Sequence, residues 1–222
     1  MDGGKARALG AQTQLDSSDS GFSGAVLARR RRTFDAAASS FFALETPATR
    51  PEAEALIRRA FARAYGARIR RFLPLLMGLR NGAGHLLAAC GLRHAALTPL
   101  FLETYLAQPV EATLSTATGV EAQRHEIVEV GNLAVARAGY APLLIAALTR
   151  HLHATGERWV VFTAVPALAN AFRRLGIPLA SLGPARVEAL PAAERAGWGT
   201  YYDTSPRVMA CRVEDAYRAL AG

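Results

Sequence analysis

The stretch of sequence that decides the fold is IVEVGNLAVARAGYAPLLIAALTRHLHATGERWVVFTAVPALANAFRRLGI, residues 127–177. Its apolar, β-branched runs at residues 127–135 and 159–164 predict two buried strands. Pro142 and Pro166 each begin an apolar segment with helical spacing, as is common for proline in the first helical turn. The stretch therefore predicts a strand–turn–helix–strand–helix unit within an α/β domain that has a mixed sheet.

Shorter elements flank this unit on both sides. A Gly- and Ser-rich stretch over residues 1–34 ends in a run of arginines, and we predict a disordered basic tail there, followed by one domain over residues 35–222. Asn81–Gly84 has the residues of a hairpin turn. The other predicted elements are strands at residues 41–44, 72–79, 85–92 and 208–213, helices that begin at Pro51 and Pro109, and a short element of undefined type near residues 101–105.

Composition excludes several classes of protein. The 222 residues carry a net charge of +8, and no apolar run approaches the roughly 18 residues of a spanning helix, so we expect no membrane insertion. Cys90 and Cys211 lie in apolar runs and are expected to be free thiols in a reducing cytoplasm. No metal-ligand spacing and no nucleic-acid recognition motif occurs. The positive charge favours an anionic partner, although an Arg- and Ala-rich proteome would give the same balance.

Three strings resemble segments of acyl-homoserine-lactone synthases, a branch of the GNAT-like N-acyltransferase fold. They lie at residues 59–66, 84–93 and 129–135. The chain resembles the bacterial thermostable hemolysin family more closely, and that likeness covers residues 41–213. Its strings are FARAYGARI, PLFLETYL, IVEVGNLA, LLIAALTRHLHATGERWVVFTA, FRRLGI and YYDTSPRVMA. The resemblance implies a GNAT-like fold and transfer of an acyl group from a thioester to an amine of a small metabolite, such as an amino acid.

The resemblance also implies a donor, acyl-CoA or acyl carrier protein, whose phosphopantetheine is a co-substrate, and no tightly bound cofactor. The synthases hold S-adenosylmethionine with two Asp near their second strand, where this chain has the basic residues Arg68, Arg70 and Arg71. We therefore expect an acid-bearing acceptor instead. The phosphate-binding signature Q/R-x-x-G-x-G/A is reduced to one glycine at residues 137–142, and Pro142 removes an amide donor. This departure favours a carrier-protein or long-chain donor over acetyl-CoA.

Glu129 is the principal candidate for a general base. A carboxylate among β-branched residues is expected to be partly buried, which raises its pKa. The alternative is an ion pair with Arg93 on the neighbouring strand. Gly131 is predicted to be a bulge that splays the strand from its neighbour, so that backbone groups pair with pantetheine. Its alternative is to give room to a packed side chain. Without a bulge, Leu133 shares the face of Glu129 and Gly131.

The remaining candidates have weaker signals. Asn132 either orients a substrate or holds the strand edge. Tyr202 is either a general acid for the thiolate or a packed core residue. Trp198 either lines an acyl pocket or packs against a loop. The predicted catalytic residues are Glu129, Asn132 and Tyr202; the predicted carrier-binding residues are Gly131, Leu133, Arg137, Gly139 and Tyr140; the predicted substrate-binding residues are Arg59, Phe61, Arg93 and Trp198.

Two other functions stay open from the sequence. The family name denotes haemolysis, so a lytic effector is one alternative, although no amphipathic hairpin with a lipid-facing alternation occurs. A non-catalytic binding module on the same fold is the other. The sequence does not specify an oligomeric state.

Overall fold

A seven-stranded mixed sheet is the centre of the computed structural model, which describes residues 39–221. The predicted tail over residues 1–34 lies outside the described residues, and the predicted domain boundary stays a prediction. The strands are β1 Ser40–Ala43, β2 Leu75–Arg80, β3 Leu86–His94, β4 Ile127–Val135, β5 Trp159–Ala164, β6 Ala180–Pro184 and β7 Arg207–Arg212. Their order is β1-β2-β3-β4-β5-β7-β6, and only the β4–β5 pair is parallel. The predicted α/β class with a mixed sheet is confirmed.

Helices cover both faces of the sheet. They are α1 Thr49–Tyr65, α2 Val110–Thr118, α3 Ala141–Ala154, α4 Pro166–Arg174, the short α5 Ala192–Arg195 and α6 Val213–Ala221. The core on one face, here the α3 face, is formed with α3, α4 and α6. The cores on the opposite face, here the α1 face, are formed with α1 and α2. Within residues 39–221, no helix has the length and apolarity needed to cross a membrane.

Turn residues set the limits of several elements as predicted. Gly66 and Gly119 end α1 and α2 in the left-handed conformation, which glycine adopts without steric cost. The Asn81 side chain accepts hydrogen bonds from the amides of Ala83 and His85 and so closes the β2–β3 hairpin. These contacts join β2 and β3, which are paired in antiparallel register.

Several predicted strand limits differ from the structure by one to three residues, and two of them have a physical explanation. The second strand begins at Leu75 and not at residue 72, because the backbones of Arg71 and Leu73 instead make hydrogen bonds to the side chain of Asn132. The last strand ends at Arg212, and α6 follows at once from Val213. No glycine or proline separates β7 from α6, so the sequence has no turn signal at this boundary.

Candidate functional site

The parallel strands β4 and β5 part halfway along β4. Their ladder runs from the pair Ile127–Trp159 to the pair Val130–Phe162 and stops there. β4 continues to Val135 and stays paired with β3, while β5 continues to Ala164 and stays paired with β7. The β5-facing edge of β4 beyond Val130 therefore has no strand partner within the described residues. This opening lies next to Gly131, where the sequence predicted a splayed strand.

The bulge that accompanies the opening lies at Asn132 and not at Gly131, which corrects the predicted position. Gly131 is in register with Gly91, and the register with β3 shifts immediately afterwards. Asn132 has φ +50°, a left-handed conformation that asparagine tolerates better than other side-chain-bearing residues. The bulge moves Leu133 to the α3 face, where it packs against the main core, so Leu133 does not share the face of Glu129.

Two facing glycines make room for a leucine. A Cβ atom at Gly91 would lie 2.6 Å from the Leu73 Cβ, and one at Gly131 would lie 2.9 Å from the Leu73 Cδ1. The Leu73 amide donates to the Asn132 Oδ1 at 2.8 Å, and the Asn132 Nδ2 donates to the Arg71 carbonyl at 3.4 Å. Both ends of the Asn132 amide thus hold the chain segment before β2, which fits its alternative role at the strand edge. The catalytic role of Asn132 stays a prediction.

Glu129 lies on the α1 face, one residue before the end of the β4–β5 ladder, and is only 3% exposed. Its two carboxylate oxygens accept hydrogen bonds from the amides of Phe101 and Leu102, each at 3.0 Å. The Nη1 atom of Arg93, the cross-strand neighbour, is 4.0 Å from its Oε2. Burial raises the pKa of Glu129, and the two amides and Arg93 oppose that rise. The carboxylate therefore anchors the 3₁₀ helix Phe101–Tyr105 over the sheet.

A second carboxylate holds the other side of this 3₁₀ helix. Glu103 accepts hydrogen bonds from the amides of Leu100 and Val110 and is paired with Arg124, whose Nη1 also contacts Glu111 at 2.9 Å. Hydrogen bonding to Arg124 lowers the pKa of Glu103 to about 2. The 3₁₀ helix is therefore fixed to α2 and to the turn before β4, as well as to β4 itself.

An aromatic cluster extends over the α1 face from α1 to the 3₁₀ helix. Phe101 stacks on Trp198 at 6.0 Å between ring centroids, and Trp198 also contacts Phe61 at 6.5 Å. The hydroxyls of Tyr105 and Tyr202 are hydrogen-bonded to each other. The members of the cluster are Phe61, Tyr65, Phe101, Tyr105, Trp198, Tyr201 and Tyr202. The structure thus brings together three of the predicted site residues, which are distant in sequence.

Residues 192–204, here called the crossover segment, carry three of these rings from α1 towards the start of β7. Its backbone is fastened to the end of α1: the Arg68 amide donates to the Gly197 carbonyl at 2.6 Å, and the Thr200 amide donates to the Tyr65 carbonyl at 2.9 Å. Glu194 is paired with Arg71 at 2.9 Å. Because β7 begins opposite Ala164, the segment ends beside the end of β5, on the side where β4 and β5 part.

The turn from β4 to α3 carries the other predicted carrier-binding residues. Arg137 and Gly139 are exposed, Tyr140 is half-buried, and Pro142 occupies the start of α3 as predicted. Arg63 of α1 reaches this region, with its Nη2 3.5 Å from the Val135 carbonyl. Arg59 is exposed on α1. Within residues 39–221, the guanidinium groups of Arg59, Arg63 and Arg137 have no carboxylate partner. We call these three the cationic rim.

The α3 face has a small apolar cavity of about 20 Å³ next to the opening. Val130, Leu133 and Phe162 contribute from the strands, and Ile145 and Phe172 contribute from the helices. Such a volume holds about one water molecule, so an acyl chain enters only if these side chains move. The cavity nevertheless places apolar surface directly behind the point where β4 and β5 separate.

Sequence reasoning missed Tyr105 and the way in which the 3₁₀ helix is held. The segment was visible as the string PLFLETYL, but no periodicity defined it, because a 3₁₀ helix of five residues is too short to give a pattern. Its contacts with Glu129 join residues 27 and 28 positions apart.

Comparisons with known proteins agree with this architecture. The sequence model of a family described as Thermostable hemolysin matches residues 43–217. A search of the curated proteins finds no match. Among solved structures, FeeM, an N-acyl amino acid synthase from uncultured soil microbes, is similar with a TM-score of 0.56 and 16% identity over 80% of this chain and 92% of that chain.

Two further solved structures resemble the chain at the same level. TofI, in a ternary complex with an inhibitor and MTA, has a TM-score of 0.55 and 15% identity, over 83% of this chain and 96% of its own. The AHL synthase LasI has a TM-score of 0.53 and 12% identity, over 82% of this chain and 93% of its own. At such identities the likeness shows the fold, and it agrees with the GNAT-like architecture predicted from the sequence.

Proposed function

The chain belongs to the thermostable hemolysin family, and from this premise we propose that it is an N-acyltransferase that moves an acyl group from a thioester carrier to the amine of a small metabolite. The observation that carries the proposal is the opening between β4 and β5 after the Val130–Phe162 pair. An unpaired strand edge binds extended groups through backbone hydrogen bonds, and the amides of a pantetheine arm have the matching donors and acceptors. The fold shared with FeeM and LasI supports the same reading.

The surroundings of the opening provide the other requirements of acyl transfer. The apolar surface on the α3 face, next to Leu133 and Phe162, is available to the acyl group. The acceptor amine approaches from the α1 face, where Glu129 and the aromatic cluster lie. The amine nitrogen attacks the thioester carbon, the carbonyl electrons move to oxygen, and the C–S bond then breaks as the carbonyl re-forms. The proton that the amine loses balances the one that the thiolate gains.

Glu129 fits a role as proton acceptor only through the lone pairs that its two amide partners leave free. A carboxylate offers about four acceptor positions, and Phe101 and Leu102 use two of them. Its raised pKa moves it towards the range of a useful base. The proposed role is therefore compatible with the anchoring role.

The cationic rim supports an anionic donor. Arg63 and Arg137 lie where β4 ends, and the phosphate groups of CoA or the acidic surface of a carrier protein would meet them there. The proposed donor is accordingly acyl-CoA or acyl carrier protein, held without a permanently bound cofactor. The proposed acceptor carries a carboxylate, since Arg68 and Arg70 are exposed beside the crossover segment.

The test is amine-dependent release of free thiol. Purified protein is incubated with decanoyl-CoA or decanoyl carrier protein and a pool of amino acids, and the thiol and the mass of the N-decanoyl product are measured. We expect release only when donor and amine are both present. A folded protein that releases no thiol above the rate of heated protein with either donor contradicts the proposal. Haemolysis by protein freed of small molecules would favour the lytic alternative.

A further inference from the structure

The hydroxyl pair of Tyr105 and Tyr202 has one proton that the protein does not use. The two oxygens are hydrogen-bonded to each other, and neither hydroxyl has another hydrogen-bond partner within residues 39–221. Two hydroxyls carry two protons, and the bond between them uses one. The remaining proton is available for a hydrogen bond to an acceptor outside the pair. The hydroxyl that already accepts a hydrogen bond is polarised by it and becomes the better donor.

Neighbouring contacts give the level of Tyr105 along the strands of the sheet. Leu106, the next residue after Tyr105, lies against Gly183 of β6. Gly183 is in register with Val208 of β7, and Val208 is in register with Thr163 of β5. Thr163 is the first β5 residue beyond the last pair with β4. Tyr105 is therefore level with the start of the opening, on the α1 face.

Tyr202 approaches the same place from the other direction. It belongs to the crossover segment and precedes β7, whose first residue, Arg207, pairs with Ala164 at the end of β5. Burial raises the pKa of Tyr202 to about 12 and raises the pKa of Tyr105 as well. Both hydroxyls are consequently protonated at neutral pH and act as donors.

We propose that Tyr105 and Tyr202 together form a donor that binds the carbonyl oxygen of the acyl thioester and stabilises the oxyanion of the tetrahedral intermediate. This inference rests on the proposed function. Both tyrosines keep their protons throughout: the oxyanion gains its charge when the amine attacks and loses it when the C–S bond breaks. Glu129 also has a positioning role in this scheme, because its hydrogen bonds to Phe101 and Leu102 fix the 3₁₀ helix that carries Tyr105.

The first test measures binding without any chemical step. Two inert ligands are compared: a ketone analogue of decanoyl-CoA, in which CH₂ replaces the sulfur, and S-decyl-CoA, which lacks the carbonyl. The wild-type protein should bind the ketone about tenfold more tightly, the value of roughly one hydrogen bond. Tyr105→Phe and Tyr202→Phe should each weaken this preference, because one removes the donor to the ketone and the other removes the partner that polarises that donor. Tyr65→Phe, which removes a hydroxyl from the same aromatic cluster, should retain it.

The second test uses turnover and a double variant. Tyr105→Phe and Tyr202→Phe should each lower kcat by about 10²-fold, as loss of one oxyanion donor does, with KM changed less than threefold. The double variant should be no worse than the poorer single variant, since the hydroxyls act as one unit. A purely structural role would instead give additive losses that follow the melting temperature.

The outcomes separate this inference from the proposed function. The proposed role of the hydroxyl pair is contradicted if the wild type binds the two ligands with equal affinity. It is also contradicted if both Phe variants retain the full ketone preference. Either result leaves the carrier site in place. If the wild type binds neither ligand and transfers no acyl group, the proposed function fails and the inference fails with it.

Discussion

At the scale of single residues, Glu129 is the informative case. An acid inside an apolar strand is rare enough to draw attention, and the sequence predicted that Glu129 is a partly buried base with a raised pKa. The structure buries it and raises its pKa, but it also supplies two amide donors from Phe101 and Leu102. No local pattern contains those donors, because they come from a separate part of the chain.

Glu129→Gln tests the anchoring role of Glu129. Glutamine has one side-chain oxygen, so its NH₂ group would face one of the two amides and leave that donor unsatisfied in a buried place. We expect the free energy of unfolding to fall by about 1–3 kcal/mol, measured by urea denaturation. Glu121→Gln, an exposed acid before β4, is the matched control and should change stability by less than about 0.5 kcal/mol. Unchanged stability of Glu129→Gln would argue against the anchoring role.

The position of the bulge at Asn132 could not be predicted from the neighbouring residues. The glycine next to it suggested the bulge, since glycine is the usual residue for an irregular strand. The left-handed conformation belongs instead to Asn132, whose side chain is held by Leu73 and Arg71. Those partners are about sixty residues away, so the position of the bulge depends on tertiary contacts that one segment does not reveal.

At the scale of elements, the 3₁₀ helix Phe101–Tyr105 connects the sheet to the aromatic cluster. Glu129 holds its beginning, while Glu103 and Arg124 hold its side. An element of five residues has little intrinsic stability, so these charged groups determine whether it keeps its place. The position of Tyr105 therefore depends on ion pairs that are themselves outside the opening.

The Glu103–Arg124 pair predicts a particular acid dependence of stability. The folded-state pKa of Glu103 is lowered to about 2, below its ordinary value of 4.5. Its contribution is present above about pH 4.5 and is lost as the pH falls towards 2. Glu103→Gln should be less stable than wild type at pH 7 by roughly 1–2 kcal/mol, after allowance for solvent screening. Thermal unfolding from pH 7 to pH 2.5 should show this difference shrinking, and a constant difference would contradict the assignment.

The regular elements were predictable where local signals agree. β4 and β5 have the predicted limits, because β-branched runs are bounded by polar or proline residues. α6 was not predicted, although its buried residues Val213 and Ala216 have helical spacing. No turn residue separates the preceding strand from the helix, and the pairing of β7 with β5 decides where the strand ends.

At the scale of the whole molecule, the sheet consists of two antiparallel parts that are joined along a short seam, the parallel β4–β5 ladder. β1–β4 form one antiparallel part, β5–β7 form the other, and four residue pairs of β4 and β5 join them. The helices on the α3 face pack across the seam. An opening of this kind costs backbone hydrogen bonds that a ligand restores, so bound carrier is expected to add to the stability of the fold.

Net charge acts at the same scale. The chain carries +8, and the cationic rim lies near the end of β4. Raising NaCl from 50 to 500 mM should therefore lower kcat/KM for decanoyl-CoA several-fold, mainly through KM. Decanoyl-N-acetylcysteamine has the same thioester without phosphates and should show little salt dependence. Equal salt dependence for both donors in a steady-state assay would show that the rim does not attract the carrier.

The path of the crossover segment past α1 depends on one glycine. Gly199 has φ +53°, and a Cβ atom there would lie 2.0 Å from the Tyr65 carbonyl oxygen. Every other amino acid would push the segment away from the helix end and carry Trp198 and Tyr202 with it. A protein engineer who wishes to alter acceptor choice thus has more freedom at Phe61 and Trp198 than at Gly199, and randomised libraries should leave this glycine untouched.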